Sequence, residues 1–202
     1  MRLTFLDKIK EDGATCLLCR TTLRDYVSSL EGDFQDYFVQ RSIVTNRFLD
    51  QLWATVSRKR HIPTIVLVVN NQELNLRTGE QFQIGSEIKI LDGLQRSARL
   101  NAIWKTLVFL ETEFVDDPGL SGARLARKNS SRLKELGCAP SLFTKMLSTK
   151  RNQQQGESLY DYFEENFIWL EVWVGLTEAE QVKKMLVLNA GHKTVNIKHQ
   201  IE

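Results

Sequence analysis

The chain has 202 residues, 42% of them hydrophobic and 26% charged, and a formal net charge of +2. That length suits one domain, or one with an appendage, and can bury a sizeable core without disulfides or metal. The charge is too small to announce nucleic-acid binding by itself, though it leaves room for a local basic patch, and no run is long and apolar enough to span a membrane. The start, Met-Arg-Leu-Thr-Phe-Leu-Asp-Lys, lacks the continuous apolar stretch and small-residue cleavage site of a signal peptide, so a cytoplasmic protein is expected.

The first apolar run covers residues 14–19 and contains Cys16 and Cys19. A structural zinc site would want a second Cys or His pair at matching spacing. On a strand the two thiols point to opposite faces, which makes them buried apolar groups. The odd total of three cysteines favours a reducing compartment. Leu23, Tyr26, Val27 and Leu30 then recur at helical spacing with Thr22 as N-cap. A second helix starts from Thr45 and carries Phe48, Leu49, Leu52, Trp53 and Val56 on one stripe. Arg58-Lys59-Arg60 closes it, either as cations suited to the helix C-terminus or as a nucleic-acid patch. Beside them, His61 reads as a helix-end residue.

After Pro63, Ile65–Val69 is short, continuous and β-branched, which predicts a central buried strand. Glu73–Leu76 and Gln81–Ile84, joined by a turn at Arg77–Glu80, predict a hairpin. Glu87–Leu91 predicts a strand that runs straight into Asp92-Gly93. The helix after it buries Leu100, Ile103, Trp104, Leu107 and Leu110. Residues 116–166 read as a mostly helical, basic insertion or lid, in which Arg124, Arg127, Lys128 and Arg132 either face a polyanion such as DNA or form a solvated surface. Phe167–Val174 is strand-like. Thr177 and Glu180 make a capping box for a last helix with Val182, Met185, Leu186 and Leu188 as its apolar positions. Asn189-Ala190-Gly191 ends it, and the tail reads as the possible cut end of a longer chain.

The chemistry concentrates at Asp92-Gly93-Leu94-Gln95-Arg96. Glycine lets the backbone turn tightly and a ligand approach closely. The first amides of the following helix form an anion site, and Arg96 and Arg99 can fork onto phosphate oxygens. Asp92 can hold Mg²⁺ or orient a water, and Gln95 can hydrogen-bond either. Asp92 with Gln95 three residues on also reads as a helix capping box. No spacing for a transition-metal site, P-loop or serine-nucleophile elbow is present.

The turn resembles the D-G-Q-Q-R or D-G-Q-H-R signature of a branch of the ParB/sulfiredoxin-like superfamily. That branch includes phosphorothioation-linked proteins and the NTPase modules of GmrSD-type restriction systems. Gln40-Arg41, the run Ile62-Pro63-Thr64-Ile65-Val66-Leu67 and Leu188-Asn189-Ala190-Gly191 match further family elements in the same order. The resemblance spans residues 14–110 and 167–202. It implies an α/β (α+β) fold: a small mixed sheet flanked by helices, its core in residues 1–115 and 167–202. It implies a nucleoside triphosphate with Mg²⁺ bound where Gln40, Arg41, Gly93, Arg99, Asn189 and Gly191 meet Asp92, Gln95 and Arg96. The implied function is nucleotide hydrolysis in prokaryotic DNA defence, coupled to a nuclease domain or partner subunit. The third signature position departs: it holds Leu94 where the family has Gln or His, so binding can persist while hydrolysis is weakened. The alternative is a non-catalytic, DNA-associated regulator or scaffold. For Arg41 a surface or ion-paired arginine, and for Gly191 a simple helix stop, remain the competing readings. His192 and His199, seven apart, are either general bases or part of a basic face.

Overall fold

The computed structural model describes residues 1–30, 51–69, 75–85 and 88–190, apart from the side chains of residues 189 and 190. The first strand, β1 (Arg2–Glu11), turns back into β2 (Ala14–Thr22). Asp12 and Gly13 make the turn with φ of 49° and 88°. Two consecutive left-handed residues are what a tight hairpin between right-twisted strands requires, and Asp-Gly supplies them cheaply. Helix α1 (Leu23–Ser28) follows, and the Thr22 hydroxyl accepts from the Asp25 amide at 3.0 Å, as its N-cap role demands. Next come α2 (Leu52–Ser57), β3 (Ile65–Val69), β4 (Gln81–Gln83), β5 (Ile88–Asp92) and the long α3 (Leu94–Thr112). Four helices, α4 (Gly122–Lys128), α5 (Ser130–Glu135), α6 (Pro140–Arg151) and α7 (Asp161–Glu164), precede β6 (Phe167–Val174) and α8 (Glu178–Ala190).

The strands form one sheet in the order β4-β1-β2-β6-β3-β5. Among the described strands only β3 and β6 run parallel; the other neighbouring pairs are antiparallel. The architecture is therefore α/β, a mixed sheet flanked by helices. All five residues of β3 are buried, which suits the strand set between β6 and β5.

The two faces of the sheet differ. One face carries Leu3, Phe5, Leu17, Cys19, Leu67, Leu170 and Val172 into the main core. There they meet α1, α2 and α3, and the same apolar cluster continues through Leu125, Leu133, Leu142, Phe143 and Met146 of α4–α6. Residues 116–166 thus share the core of the sheet. The other face buries a smaller cluster, Ala14, Val66, Val68, Leu91 and Trp173, with Cys16, Leu176 and Leu188 packed against it.

Several expectations change. Residues 75–77 are not a strand, and the turn at Arg77–Glu80 leads into β4, which pairs with β1 through Leu3↔Phe82. Of the expected Glu73–Leu76 arm, Glu73 and Leu74 lie outside the described residues and Asn75 and Leu76 are not strand; the partner of β4 is β1, which is absent from the sequence reading. Along α8, Met185 is buried and Leu188 packs inward, but Val182 and Leu186 are 41% and 61% exposed. Part of the apolar stripe of α8 therefore points outward. Thr45, Phe48 and Leu49 lie outside the described residues, and α2 begins with Gln51 at its N-cap, which makes no side-chain cap bond.

Candidate functional site: the β5–α3 turn

Strand β5 ends at Asp92, Gly93 turns the chain at φ 93°, and α3 begins at Leu94. The left-handed conformation is one reason for glycine. Space is the other, because a Cβ here would come within 2.9 Å of Ile65 Cγ1 and 3.2 Å of Arg96 Nη2. Gly93 is itself the N-cap of α3 and Asp92 belongs to the strand, so the Asp92–Gln95 capping box is not formed. An N-cap side chain reaches the amides two or three residues on, and a strand-end residue one position earlier points elsewhere.

Asp92 instead pairs with Arg96. The guanidinium Nη2 donates to Asp92 Oδ2 at 2.8 Å and to the Thr64 carbonyl at 3.1 Å. Both side chains are partly enclosed, 25% and 21% exposed. This clamp ties the start of α3 to the end of β5 and to the chain entering β3. A guanidinium has five N–H donors, and these contacts run through Nη2 alone.

A buried pair that sequence reasoning missed lies just inside the turn. Ser97 Oγ donates to the Gly93 carbonyl at 2.9 Å and sits 2.6 Å from the hydroxyl of the fully buried Tyr26. Burial pushes the Tyr26 phenol well above its usual range, opposed by the hydrogen bond to Ser97 and the positive charge of Arg96. Tyr26 was legible only as one apolar position of α1. The signal for its hydroxyl is a small polar residue directly after Arg96, in the first turn of α3.

Leu94, the departure from the family signature, is 5% exposed and belongs to the main core. Gln95, Arg96 and Arg99 are all half-buried on the first turns of α3. The remaining predicted residues divide. Gln40, Arg41, Gly191, His192 and His199 lie outside the described residues, as does the side chain of Asn189. Leu188, just before Asn189, packs in the cluster with Val66 and Leu91, and Val66 is the strand partner of Asp92. The backbone at the end of α8 thus approaches the strand end that bears Asp92.

The insertion cations are not brought to the turn. Arg132 binds both carboxylate oxygens of Glu113 at 3.0 Å and Glu135 at 3.2 Å. Glu113 caps the C-terminal end of α3, whose 19 residues set it roughly 28 Å from Gly93 at 1.5 Å per residue. Arg124, Arg127 and Lys128 are exposed on α4. Lys150 donates to Glu111 at 2.9 Å and Arg151 to Asp116 at 2.7 Å, so three cations of this region are engaged, two of them by Glu111 and Glu113 at the end of α3.

No group of three His, Cys, Asp or Glu side chains suited to a metal occurs among the described residues. Among the described residues the turn offers one carboxylate, Asp92, already paired with the Arg96 guanidinium. A Mg²⁺ held through one or two carboxylates and substrate phosphates would have to share Asp92 with Arg96. The C-x-x-C pair splits across the sheet as a strand dictates: Cys19 enters the main core, while Cys16 lies on the opposite face beside the smaller cluster. Burial, aided at Cys16 by the charge of Glu171 and at Cys19 by Cys16, pushes both thiols up to about 12. His61 lies beyond α2, its ring edge-on to Trp169 with centroids 6.2 Å apart. No helix among the described residues is long and apolar enough to cross a membrane. No family model, no curated protein and no solved structure matches this chain.

Proposed function

We propose that the chain is a nucleotide-binding module of the ParB/sulfiredoxin-like kind, working in a prokaryotic DNA defence or modification system. The β5–α3 turn receives the phosphates of a nucleoside triphosphate. One observation carries this reading: a left-handed glycine places a partly enclosed Arg96 guanidinium beside the amide end of a 19-residue helix. Helix amides and a guanidinium are the two donor types that recognise phosphate best. Asp92 then has the role of a resident counter-ion. It holds Arg96 in place while the site is empty, and an arriving phosphate competes for the same N–H donors. Any Mg²⁺ would arrive as the companion of the triphosphate. Turnover, as in the NTPase modules the signature resembles, would fall to the same Asp92–Arg96 segment, with a nuclease domain or partner chain as the output and DNA as the target.

A second reading, a non-catalytic regulator or scaffold that binds nucleotide or DNA without turnover, is favoured by two features of the turn. Leu94 faces the core, so the third signature position presents no polar group to a ligand, and Asp92 is occupied by Arg96. A panel of ATP, GTP and CTP with Mg²⁺, with and without DNA, on wild type and Arg96→Ala separates the readings. Binding with turnover, both lost in the variant, supports the NTPase. Binding without turnover supports the regulator. Equal affinity in wild type and variant removes the pocket altogether, leaving Arg96 as a structural clamp.

A further inference from the structure

Among the described residues, the sheet face opposite the main core is covered over only part of its area. α8 lies over Ala14, Val66, Val68, Leu91 and Trp173. Further along β6, Phe167 and Trp169 stand on the same face as Trp173, because strand side chains alternate. They remain 51% and 48% exposed. Phe167 opens β6 and Trp169 lies two residues further in; two large aromatic rings left exposed side by side on a sheet face mark a contact surface.

The charges around them are positive. Arg20, the strand partner of Trp169, holds its guanidinium 4.9 Å from the centre of the Phe167 ring. Thr4 pairs with Arg20, so Arg2, two residues before Thr4 on β1 and exposed, points to the same side. His61 packs edge-on against Trp169, and the exposed Arg58 and Arg60 precede it. Among the described residues the acids nearby are Glu165, paired with Lys59; Glu164, paired with Arg24; the exposed Asp7, strand partner of Leu18 in the row beside Arg20; and Glu171, half-buried on the side nearer α8.

We infer that this open half of the sheet binds a single strand of nucleic acid, with bases stacked on Trp169 and Phe167 and the backbone phosphates along Arg2, Arg20 and Arg60. Every base has a flat face that stacks on an aromatic ring, and every phosphate pairs with a cation, so the two residue types together form a sequence-tolerant platform. A duplex hides its base faces and cannot use the rings. The surface uses none of the β5–α3 turn residues and stands whether or not that turn binds nucleotide. It also lies elsewhere than the basic insertion to which the sequence had pointed for DNA.

The test is fluorescence anisotropy with an end-labelled oligothymidylate of about a dozen nucleotides, at low salt, against a duplex of matched length. The full chain is compared with Trp169→Ala, Phe167→Ala, Arg20→Gln and Lys134→Gln, with circular dichroism to verify the fold of each. The expected result is that the single strand binds better than the duplex. Trp169→Ala should weaken it about tenfold or more, Arg20→Gln should flatten its salt dependence, and Lys134→Gln, which removes an exposed cation of α5, should leave it unchanged. Equal affinity in wild type and a folded Trp169→Ala, or no binding at low salt, overturns the inference. So does the absence of binding in a wild type that is dimeric and becomes monomeric in Trp169→Ala, since the face would then be a contact between copies of the chain.

Discussion

At Gly93 two constraints coincide: φ is 93°, and a Cβ would lie 2.9 Å from Ile65 Cγ1. Gly93→Ala must strain the backbone and displace either Ile65 or the Arg96 clamp, so it should cost about 1–3 kcal/mol in urea unfolding. Stability unchanged from wild type would mean that the turn relaxes freely. Leu94 gives a sharper test of the family signature. Because its side chain is 5% exposed in the core, Leu94→Gln should destabilise by roughly 2 kcal/mol or more and should not create or raise nucleotide turnover. A stable variant with new hydrolytic activity would show that position 94 faces the ligand. The thiols offer a third check. With both pushed up to about 12, Cys16 and Cys19 should react slowly with an alkylating reagent at neutral pH in the folded chain and quickly after denaturation. Rapid native labelling of Cys19 would contradict its place in the main core. Of these residues, Gly93 was legible from its position between a strand and a helix. The burial of Leu94 was not, because one apolar residue at a helix start carries no periodicity.

At the scale of elements, α8 is held at its start by a reciprocal box. Thr177 N and Oγ1 both donate to Glu180 Oε2 at 2.7 Å, and Glu180 N donates back to Thr177 Oγ1 at 3.4 Å. The hydrogen bond from Thr177 holds the Glu180 carboxyl below its ordinary value of 4.5. A depressed carboxylate contributes stability above its unfolded pKa and loses it as pH falls through the folded one. The start of α8 should therefore loosen only below about pH 4.5, seen as faster amide exchange at residues 178–181. Glu180→Gln should remove that acid sensitivity; an unchanged exchange profile would show that the box does not hold the helix. This box was legible because its partners are three residues apart. The β1–β2 hairpin was equally local, since Asp12-Gly13 is a strong two-residue turn signal, but the alternation in β1 breaks down after Phe5. There Leu6 and Asp7 meet a register shift, and the rest of the strand is largely exposed.

Across the whole molecule, a few polar side chains join distant segments. Asn166, 8% exposed at the start of β6, donates to the Val56 carbonyl of α2 at 2.8 Å and the Tyr162 carbonyl of α7 at 2.7 Å, while its own carbonyl accepts from Leu23 of α1. Glu111 near the end of α3 accepts from Lys150 of α6 at 2.9 Å and from the Leu159 amide at 2.8 Å. Asn166→Ala should cost about 1–3 kcal/mol by leaving carbonyls unsatisfied around a small cavity. A loss below about 0.5 kcal/mol would mean that water replaces the side chain without penalty.

What the sequence by itself determined is what depends on near neighbours. The all-buried β3, the strand β6, the buried face of α3, the Thr22 and Thr177 caps and the glycine between β5 and α3 all follow from periodicity or from contacts within a turn or two. What only the tertiary structure decided depends on which segments meet. β4 pairs with β1, and the described residues 75–77 are not strand. Arg96 closes on Asp92 and the Thr64 carbonyl. Arg132 is spent on Glu113 at the far end of α3. Phe167 and Trp169 are left open beside Arg20. Hydrophobic pattern marks a residue as fit for burial, but the area of sheet that α8 covers, and hence which aromatic rings stay in water, is set by the length and placement of a helix that the pattern of β6 does not encode.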